Sequence, residues 1–245
     1  MSQVRRRGKV AALVLAFAAF SAASPVRAEP VELELLLAVD ASSSVDPGEY
    51  RLQMQGLAAA FRHPAVRRAL AQVGEPGIVV ALLQWSRPDS QNFAVPWTRV
   101  RDAASLEALA AAIDTARRGW IAGGTAIARA LDVASEALAA NRFEGRRRVI
   151  DLSGDGRANM GGPPAVARDR ATAQGVTINA LAIVNEEWRL DRYYRDEVIG
   201  GTGAFVMVAD DYDDFARAIR AKLVREIAGT PVALEAGNAA GVSRR

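Results

Sequence analysis

Apolar stretches with the pattern of buried strands alternate along this chain with segments that carry apolar residues at helical spacing. Six stretches have the strand pattern, at 31–40, 77–85, 92–100, the first part of 146–156 (a strand followed by a loop), 176–184 and 204–210. Segments between them, such as "IARALDVASEAL", repeat apolar residues every three or four positions, which is typical of helices that bury one side. Strands alternating with helices form a mostly parallel sheet covered on both faces. The sequence therefore predicts an α/β fold with a doubly wound, six-stranded sheet.

One strand of the six is predicted to run antiparallel at an edge of the sheet. The link "SRPDSQ" between 77–85 and 92–100 is too short for a crossover helix, so these two strands should form a hairpin. Pro96 has no N–H to donate, which places its strand at the edge. The periodicity predicts main helices over 47–61, 102–113, 127–138, 163–174 and 211–227, with a short helix after the fifth strand. We expect one domain, over residues 31–228.

The two ends of the chain differ from this pattern. Four basic residues between positions 5 and 9 precede the apolar stretch "VAALVLAFAAFSAAS", and "VRA" before Glu29 has the pattern of a cleavage site. Residues 1–28 are therefore predicted to be a signal peptide, with an uncleaved start or a membrane anchor as the alternative. The protein would be exported, periplasmic or secreted, with no stable membrane insertion after removal of the signal. The Ala/Gly-rich tail at 229–245 is predicted to be disordered.

Charge and cysteine content exclude several classes of function. The signal segment carries five basic residues and no acids, so the 31 basic residues less these five leave 26 against 28 acidic, a formal charge of −2. The basic character of the whole chain is thus no argument for nucleic-acid binding. The chain has no cysteine, which excludes disulfides, thiolate metal sites and a cysteine nucleophile.

Oxygen-bearing side chains occur in three separate segments, each at a predicted strand end or helix start. Asp40 ends the first strand and is followed by Ser42 and Ser44, Asp155 follows the fourth strand, and Thr125 stands at the head of a helix. The ligand crevice of such sheets lies beyond the carboxyl ends of the strands. Two carboxylates and three hydroxyls suit a hard divalent cation, Mg²⁺ first and then Mn²⁺ or Ca²⁺. An open coordination position would favour a carboxylate from another molecule.

These segments carry a resemblance to a known family. "DASSS", "GGT" and "SGDG" resemble the motifs of the von Willebrand factor A-type (vWA) domain, at Asp40, Ser42, Ser44, Thr125 and Asp155. The resemblance implies a metal-ion-dependent adhesion site (MIDAS) that binds Mg²⁺ or a similar ion. It also implies a protein partner that presents an Asp or Glu side chain, and no catalytic residues. In family members that switch between two conformations, a small shift in the coordination shell of the metal is coupled to movement of the last helix, here 211–227.

Two other functions remain open from the sequence. A haloacid-dehalogenase-type, Mg²⁺-dependent phosphohydrolase would need a second aspartate where Ser42 stands and a downstream lysine. Lys222 is the only lysine after Lys9, and an arginine could replace the lysine in that role. A structural subunit with a vestigial metal site is the other alternative. The lone histidine, His63, precedes Pro64 and is interpreted as a surface or packing residue. We predict a binding module, not an enzyme.

The position of several further residues in the pattern indicates what they contact. Trp188, Tyr193 and Tyr194 follow the fifth strand and could form an aromatic rim that contacts the partner, or cover the short helix there. Residues 159–160 are expected to border the metal site. The arginines at 146–148 are interpreted as a solvated lead-in to the fourth strand.

Overall fold

The computed structural model describes residues 28–119 and 123–229. The predicted signal peptide, apart from Ala28, and the predicted tail beyond Gly229 lie outside the described residues.

The described chain contains six strands, as the hydrophobic pattern predicts, and seven α-helices, one more than the pattern predicts. The strands are β1 Glu29–Asp40, β2 Ile78–Trp85, β3 Gln91–Val100, β4 Phe143–Gly154, β5 Val176–Ile183 and β6 Val206–Ala209. The helices are α1 Pro47–Arg62, α2 Pro64–Val73, α3 Ala103–Asp114, α4 Ile127–Ala140, α5 Pro164–Ala173, α6 Leu190–Tyr193 and α7 Phe215–Ala228, with a π-helical turn at Tyr194–Val198.

The strands form one sheet in the order β3-β2-β1-β4-β5-β6. All neighbouring pairs are parallel except β2 and β3, which are antiparallel and place the proline-containing β3 at the edge. The predicted α/β fold, doubly wound with one antiparallel edge strand, is therefore confirmed. The strand order reverses at β1, whose two neighbours are β2 and β4. This reversal opens a crevice between the ends of β1 and β4.

Helices cover both faces of the sheet, which explains why its central strands are apolar throughout. Alternate residues of β1, such as Leu35 and Leu37, pack with α1, α2, α3 and α7. The residues between them, Leu36 and Ala38, pack with α4, α5 and the segment 190–198. β1 and β4 are the two central strands of the sheet, and their carboxyl halves are buried on both faces.

Helix α2 was missed, because the sequence pattern predicts only the helix at 47–61 in this region. The chain starts a new helix at once, because Pro64 suits the first helical position and the Nδ1 atom of His63 accepts a hydrogen bond from the Ala65 N–H at 3.1 Å. His63 is therefore a helix-capping residue, a role that its interpretation as a surface or packing residue did not include.

The arginines at 146–148 lie within β4, so their interpretation as a solvated lead-in is wrong. Arg147 donates to the backbone carbonyls of Glu226 at 2.6 Å and Ile227 at 2.9 Å, at the last turn of α7. A cation at this end satisfies carbonyls that have no partner within the helix and favours the helix dipole. Arg147 thus attaches the end of α7 to the sheet.

A buried charged cluster attaches the same helix to the middle of the sheet. The Nζ atom of Lys222 lies 2.7 Å from Asp151 Oδ1 in β4 and 2.7 Å from Glu226 Oε1 in α7, and all three side chains are almost fully buried. Asn179 in β5 donates to Glu226 Oε1 at 2.8 Å. Burial first, and then the charge of Asp151, raises the pKa of Glu226 to about 8.

Within residues 28–119 and 123–229, the helices are too short or too polar to cross a membrane.

Candidate metal centre

The carboxyl ends of β1 and β4 place two carboxylates at the crevice where the strand order reverses. Asp40 is the last residue of β1, and Asp155 follows the last residue of β4. The two strands are in register as far as Val39 and Ser153, so both carboxylates emerge at the same edge. Both side chains are almost completely buried, with 0% and 2% of their surface exposed.

A hydrogen-bonded chain joins the loop after β1 to the loop after β4. The Ser42 N–H donates to Asp40 Oδ1 at 2.7 Å, and the hydroxyls of Ser42 and Ser44 lie 3.1 Å apart. The Ser44 hydroxyl then donates to Asp155 Oδ1 at 2.8 Å. Residues separated by 111 positions in the sequence are therefore in direct contact, and four of the five predicted metal ligands form one cluster.

The second oxygen of Asp40 has no partner in this cluster. Asp40 Oδ2 is buried, and the described part of the chain offers it no hydrogen bond. Burial first, and then the charge of Asp155, raises the pKa of Asp40 to about 7, against the opposing effects of Ser42 and Arg118. A buried carboxylate oxygen without a donor is costly, and a cation is the kind of group that would satisfy it.

Two glycines leave room around these oxygens. A Cβ atom at Gly154 would lie 2.9 Å from Asp40 Oδ2 and 2.7 Å from the Tyr194 hydroxyl. A Cβ atom at Gly124 would lie 2.7 Å from Asn159 Oδ1. Side chains larger than hydrogen would therefore displace the groups that surround the cluster, which explains Gly154 in "SGDG" and Gly124 in "GGT".

Thr125, the fifth predicted ligand, lies in the segment that packs against the serine loop. The carbonyl of Gly123 accepts a hydrogen bond from the Ser43 N–H at 2.9 Å. The Thr125 N–H donates to Asn159 Oδ1 at 2.8 Å, and its side chain is 5% exposed. Asn159 thus borders the site as expected, by holding the backbone of Thr125.

Two tyrosines also surround the carboxylates, and the sequence did not predict either contact. The hydroxyl of Tyr212, a residue that precedes α7, donates to Asp155 Oδ2 at 2.9 Å. Burial, and then the charge of Asp155, raises the pKa of Tyr212 far above its ordinary value, so the hydroxyl keeps its proton. Tyr194 is completely buried beside Gly154 and Asp40, in one cluster with Leu190 of the short helix, so of its two interpretations the exposed rim is wrong.

The other two aromatic residues of the predicted rim, Tyr193 and Trp188, differ in their exposure. Tyr193 is half-buried, with the Arg157 guanidinium 4.9 Å from its ring centroid. Trp188 is 68% exposed and stacks with Arg189 at 4.1 Å. Of the three aromatic residues, Trp188 therefore offers the most surface to another molecule.

Arg118 fixes the backbone of the serine loop, and no pattern in the sequence indicated this role. Its guanidinium donates to the carbonyls of Ala41 at 2.8 Å, Ser42 at 2.5 Å and Val45 at 2.8 Å. Residues 117–119 are themselves held by Gln84, which contacts the Arg117 carbonyl and the Gly119 N–H. The five donors of a guanidinium in one plane suit several carbonyls at once.

Replacing Arg118 by methionine is expected to lower the free energy of unfolding by about 2–3 kcal/mol, because three carbonyls lose a charged donor. Amide hydrogen exchange should become faster at residues 42–45 before it changes elsewhere. Arg117→Met is the matched control, since Arg117 is exposed and should change stability by less than about 0.5 kcal/mol. Equal effects of the two substitutions would contradict the role assigned to Arg118.

The donor set fits a hard cation. In the described ranges, no group of three or more His, Cys, Asp or Glu side chains is arranged to hold a metal ion. The cluster instead has two carboxylates, with hydroxyls as the remaining oxygens and one carboxylate oxygen without a partner. Such all-oxygen sets suit Mg²⁺, Mn²⁺ or Ca²⁺, which keep water molecules where the protein supplies no ligand.

The fold and the strand order define the class of protein, which is a vWA-type α/β domain. Similar solved structures include proximal thread matrix protein 1 from the mussel byssus, with 18% identity over 82% of this chain and 49% of that chain, and a TM-score of 0.58. A further structure of the mussel protein has a zinc-occupied MIDAS motif. The pilus adhesin SpaC from Lactobacillus rhamnosus GG matches with 15% identity over 81% of this chain and 31% of that chain, and a TM-score of 0.56.

A von Willebrand factor type A structure from Catenulispora acidiphila is also similar, with 19% identity over 80% of this chain and 43% of that chain, and a TM-score of 0.53. This chain thus spans half or less of the length of these three proteins, and at these identities the likeness concerns the fold. The model of the family described as "Protein of unknown function (DUF1194)" matches residues 30–231, so the chain belongs to this vWA-like family. No curated protein matches the chain.

Proposed function

We propose that this protein is an exported vWA module that binds a divalent cation at Asp40, Ser42, Ser44, Thr125 and Asp155. The cation, Mg²⁺ or alternatively Mn²⁺ or Ca²⁺, would hold an Asp or Glu side chain of a protein partner. The observation that carries this proposal is the continuous cluster from Asp40 to Asp155, in which one buried carboxylate oxygen has no partner.

Two further observations support the proposal. The mussel protein with a similar fold has a zinc-occupied MIDAS motif, and SpaC, which also has a similar fold, is a pilus adhesin. A cation between two buried carboxylates and several neutral hydroxyls would keep part of its charge un-neutralised. An incoming carboxylate would then complete its coordination.

The phosphohydrolase alternative has little support from the geometry. Lys222, the lysine that such an enzyme would need beside Asp40, is buried in the ion cluster with Asp151 and Glu226. Position 42 carries a buried serine in place of the second aspartate. The other alternative is a structural subunit whose metal site is vestigial. Such a protein would not respond to divalent cations, so the cation-binding experiments distinguish it from the proposed module.

Capture of a partner should depend on the cation. Immobilised wild-type protein is expected to retain a partner from an envelope extract in Mg²⁺ and to release it in EDTA, because the partner's carboxylate binds through the ion. Asp155→Asn should retain at least about tenfold less, since it removes one of two charged ligands. Asp89→Asn, which changes an exposed carboxylate paired with Arg87, is the control and should behave as wild type. Capture that EDTA does not affect would argue against a metal-mediated contact.

A further inference from the structure

A cavity of about 500 Å³ lies at the opposite edge of the sheet from the candidate metal centre. Residues from the first half of β4, the start of β5 and the last turn of α7 line it. Four arginines converge on this cavity, Arg146, Arg147, Arg148 and Arg225. Like charges that share a small space repel one another, so the arrangement costs stability unless an anion offsets it.

Two of these guanidinium groups are already occupied. Arg146 and Arg147 both pair with Glu32 of β1. The remaining N–H groups of Arg147 donate to the carbonyls at the end of α7. These two arginines therefore stabilise the fold by binding Glu32 and the end of α7, and few of their N–H groups remain available to a ligand.

The other two guanidinium groups keep free donors. Arg148 donates one hydrogen bond, to the Gln174 carbonyl. Arg225 lies with its guanidinium 3.6 Å from the ring centroid of Phe205, an arrangement that fixes the plane of the fork without using its N–H groups. Among residues 28–119 and 123–229, neither arginine has a carboxylate within salt-bridge distance.

The buried carboxyl group in the cavity wall does not cancel this positive charge. Glu226 is 3% exposed, and its Oε1 atom is occupied by Lys222 and Asn179. Burial raises the pKa of Glu226, so its cluster with Lys222 and Asp151 is close to neutral at pH 7. The polar side chain of Thr177 also lines the cavity and can donate to an oxygen.

We propose that this cavity binds a small polyvalent oxyanion between Arg148 and Arg225. A guanidinium donates two parallel N–H bonds to two oxygens of one phosphate or carboxylate group. A chloride ion does not offer two such oxygens, and the ammonium group of a lysine does not have this paired donor geometry. The ligand would offset the repulsion among the four arginines. This site is independent of the metal centre, which lies at the other ends of the same strands.

Pyrophosphate and citrate are suitable probes, because they carry the same oxyanion chemistry on different frameworks. The full chain is first stripped of metal with EDTA and then dialysed into chelator-free buffer at constant ionic strength, which removes any contribution of the metal centre and keeps EDTA, itself a polycarboxylate, from competing for the site. We then expect a saturable rise in Tm with at least one of the two probes, beyond the effect of sodium chloride. The two probes distinguish a phosphate site from a carboxylate site by their relative Kd values, measured by calorimetry.

The variants test whether the two arginines form the site. Arg148→Gln and Arg225→Gln are each expected to weaken binding at least about tenfold, because each removes charge-assisted hydrogen bonds. Arg225→Lys keeps the charge without the fork and should also lose affinity. The control Arg67→Gln/Arg68→Gln removes two exposed arginines of α2 and should bind as wild type. Binding that is equal in the control and in the single variants, or a Tm that responds to the probes no more than to chloride, would overturn the proposal.

Discussion

Replacing Lys222 by methionine is expected to lower the free energy of unfolding by about 3–5 kcal/mol, because it removes the cation from a buried ion cluster. Lys222 is fully buried and lies 2.7 Å from both Asp151 Oδ1 and Glu226 Oε1. Without it, two carboxyl groups would face each other inside the protein. Chemical denaturation at pH 7 measures the loss. Arg220→Met, on the same helix but partly exposed, is the control and should cost less than about 0.5 kcal/mol.

A second substitution in the cluster separates the ionic contribution from packing. Glu226→Gln keeps an oxygen for Lys222 and Asn179, while its amide can donate to Asp151, whose Oδ2 atom has no partner within the described residues. The double variant Lys222→Met/Glu226→Gln should therefore recover part of the stability lost in Lys222→Met. If the double variant is as unstable as the sum of the single variants, charge in the cluster is not the cause.

The same cluster makes stability depend on pH in a definite direction. The ordinary pKa of a glutamate is 4.5, and burial followed by the charge of Asp151 raises that of Glu226 to about 8 in the folded protein. Between these values the folded state holds a proton that the unfolded state has released. The contribution of this group is full below pH 4.5 and falls as the pH rises to about 8. Glu226→Gln should remove this part of the pH dependence.

Asp40→Asn is expected to abolish the stabilisation of the protein by divalent cations. At a free cation concentration of 100 times Kd, wild type should gain about 2.7 kcal/mol, or about 2–4 °C in Tm for each kcal/mol. The variant loses a charged ligand and should bind Mn²⁺ at least about 100-fold more weakly. Titration calorimetry and thermal unfolding with and without Mn²⁺ measure both effects.

The cation-free protein supplies an internal check on the same variant. Asp40 is completely buried beside Asp155, and its Oδ2 atom has no partner in the described chain. An amide carries no charge, so Asp40→Asn should be at least as stable as wild type in EDTA. Asp213→Asn, an exposed residue next to Tyr212, is the control and should keep the cation response. A wild-type response to Mn²⁺ in Asp40→Asn would exclude Asp40 as a ligand.

Helix α7 connects the buried ion cluster, which Lys222→Met tests, with the candidate metal centre, which Asp40→Asn tests. Lys222 and Glu226 hold its middle against β4 and β5, and Tyr212, just before its start, contacts Asp155 at the candidate metal centre. A change at Asp155 therefore has a direct path of contacts to the segment that leads into α7. This path is a property of the tertiary structure, because Tyr212 and Asp155 are 57 positions apart.

Local periodicity determined the elements that can be recognised without coordinates. A buried strand needs a continuous apolar run and a covered helix needs apolar residues at every third or fourth position, so the alternation in this sequence predicts both the elements and the parallel sheet. The boundaries of some elements differ from the prediction. The predicted helix at 211–227 begins at Phe215 in the structure, and α2 was missed because Pro64 both ends one helix and begins the next.

The sequence by itself determined the α/β class, the antiparallel edge strand and the order of the three oxygen-bearing segments, because short-range spacing and turn chemistry encode these features. Only the tertiary structure decided which distant groups meet. Arg118 binds the serine loop, including the Val45 carbonyl 73 positions earlier in the chain. Tyr194 lies beside Asp40, and Lys222 lies between two carboxyl groups. Such contacts depend on how layers pack over long separations in the chain. A single arginine, tyrosine or lysine in the sequence carries no local signal of the partner it will reach.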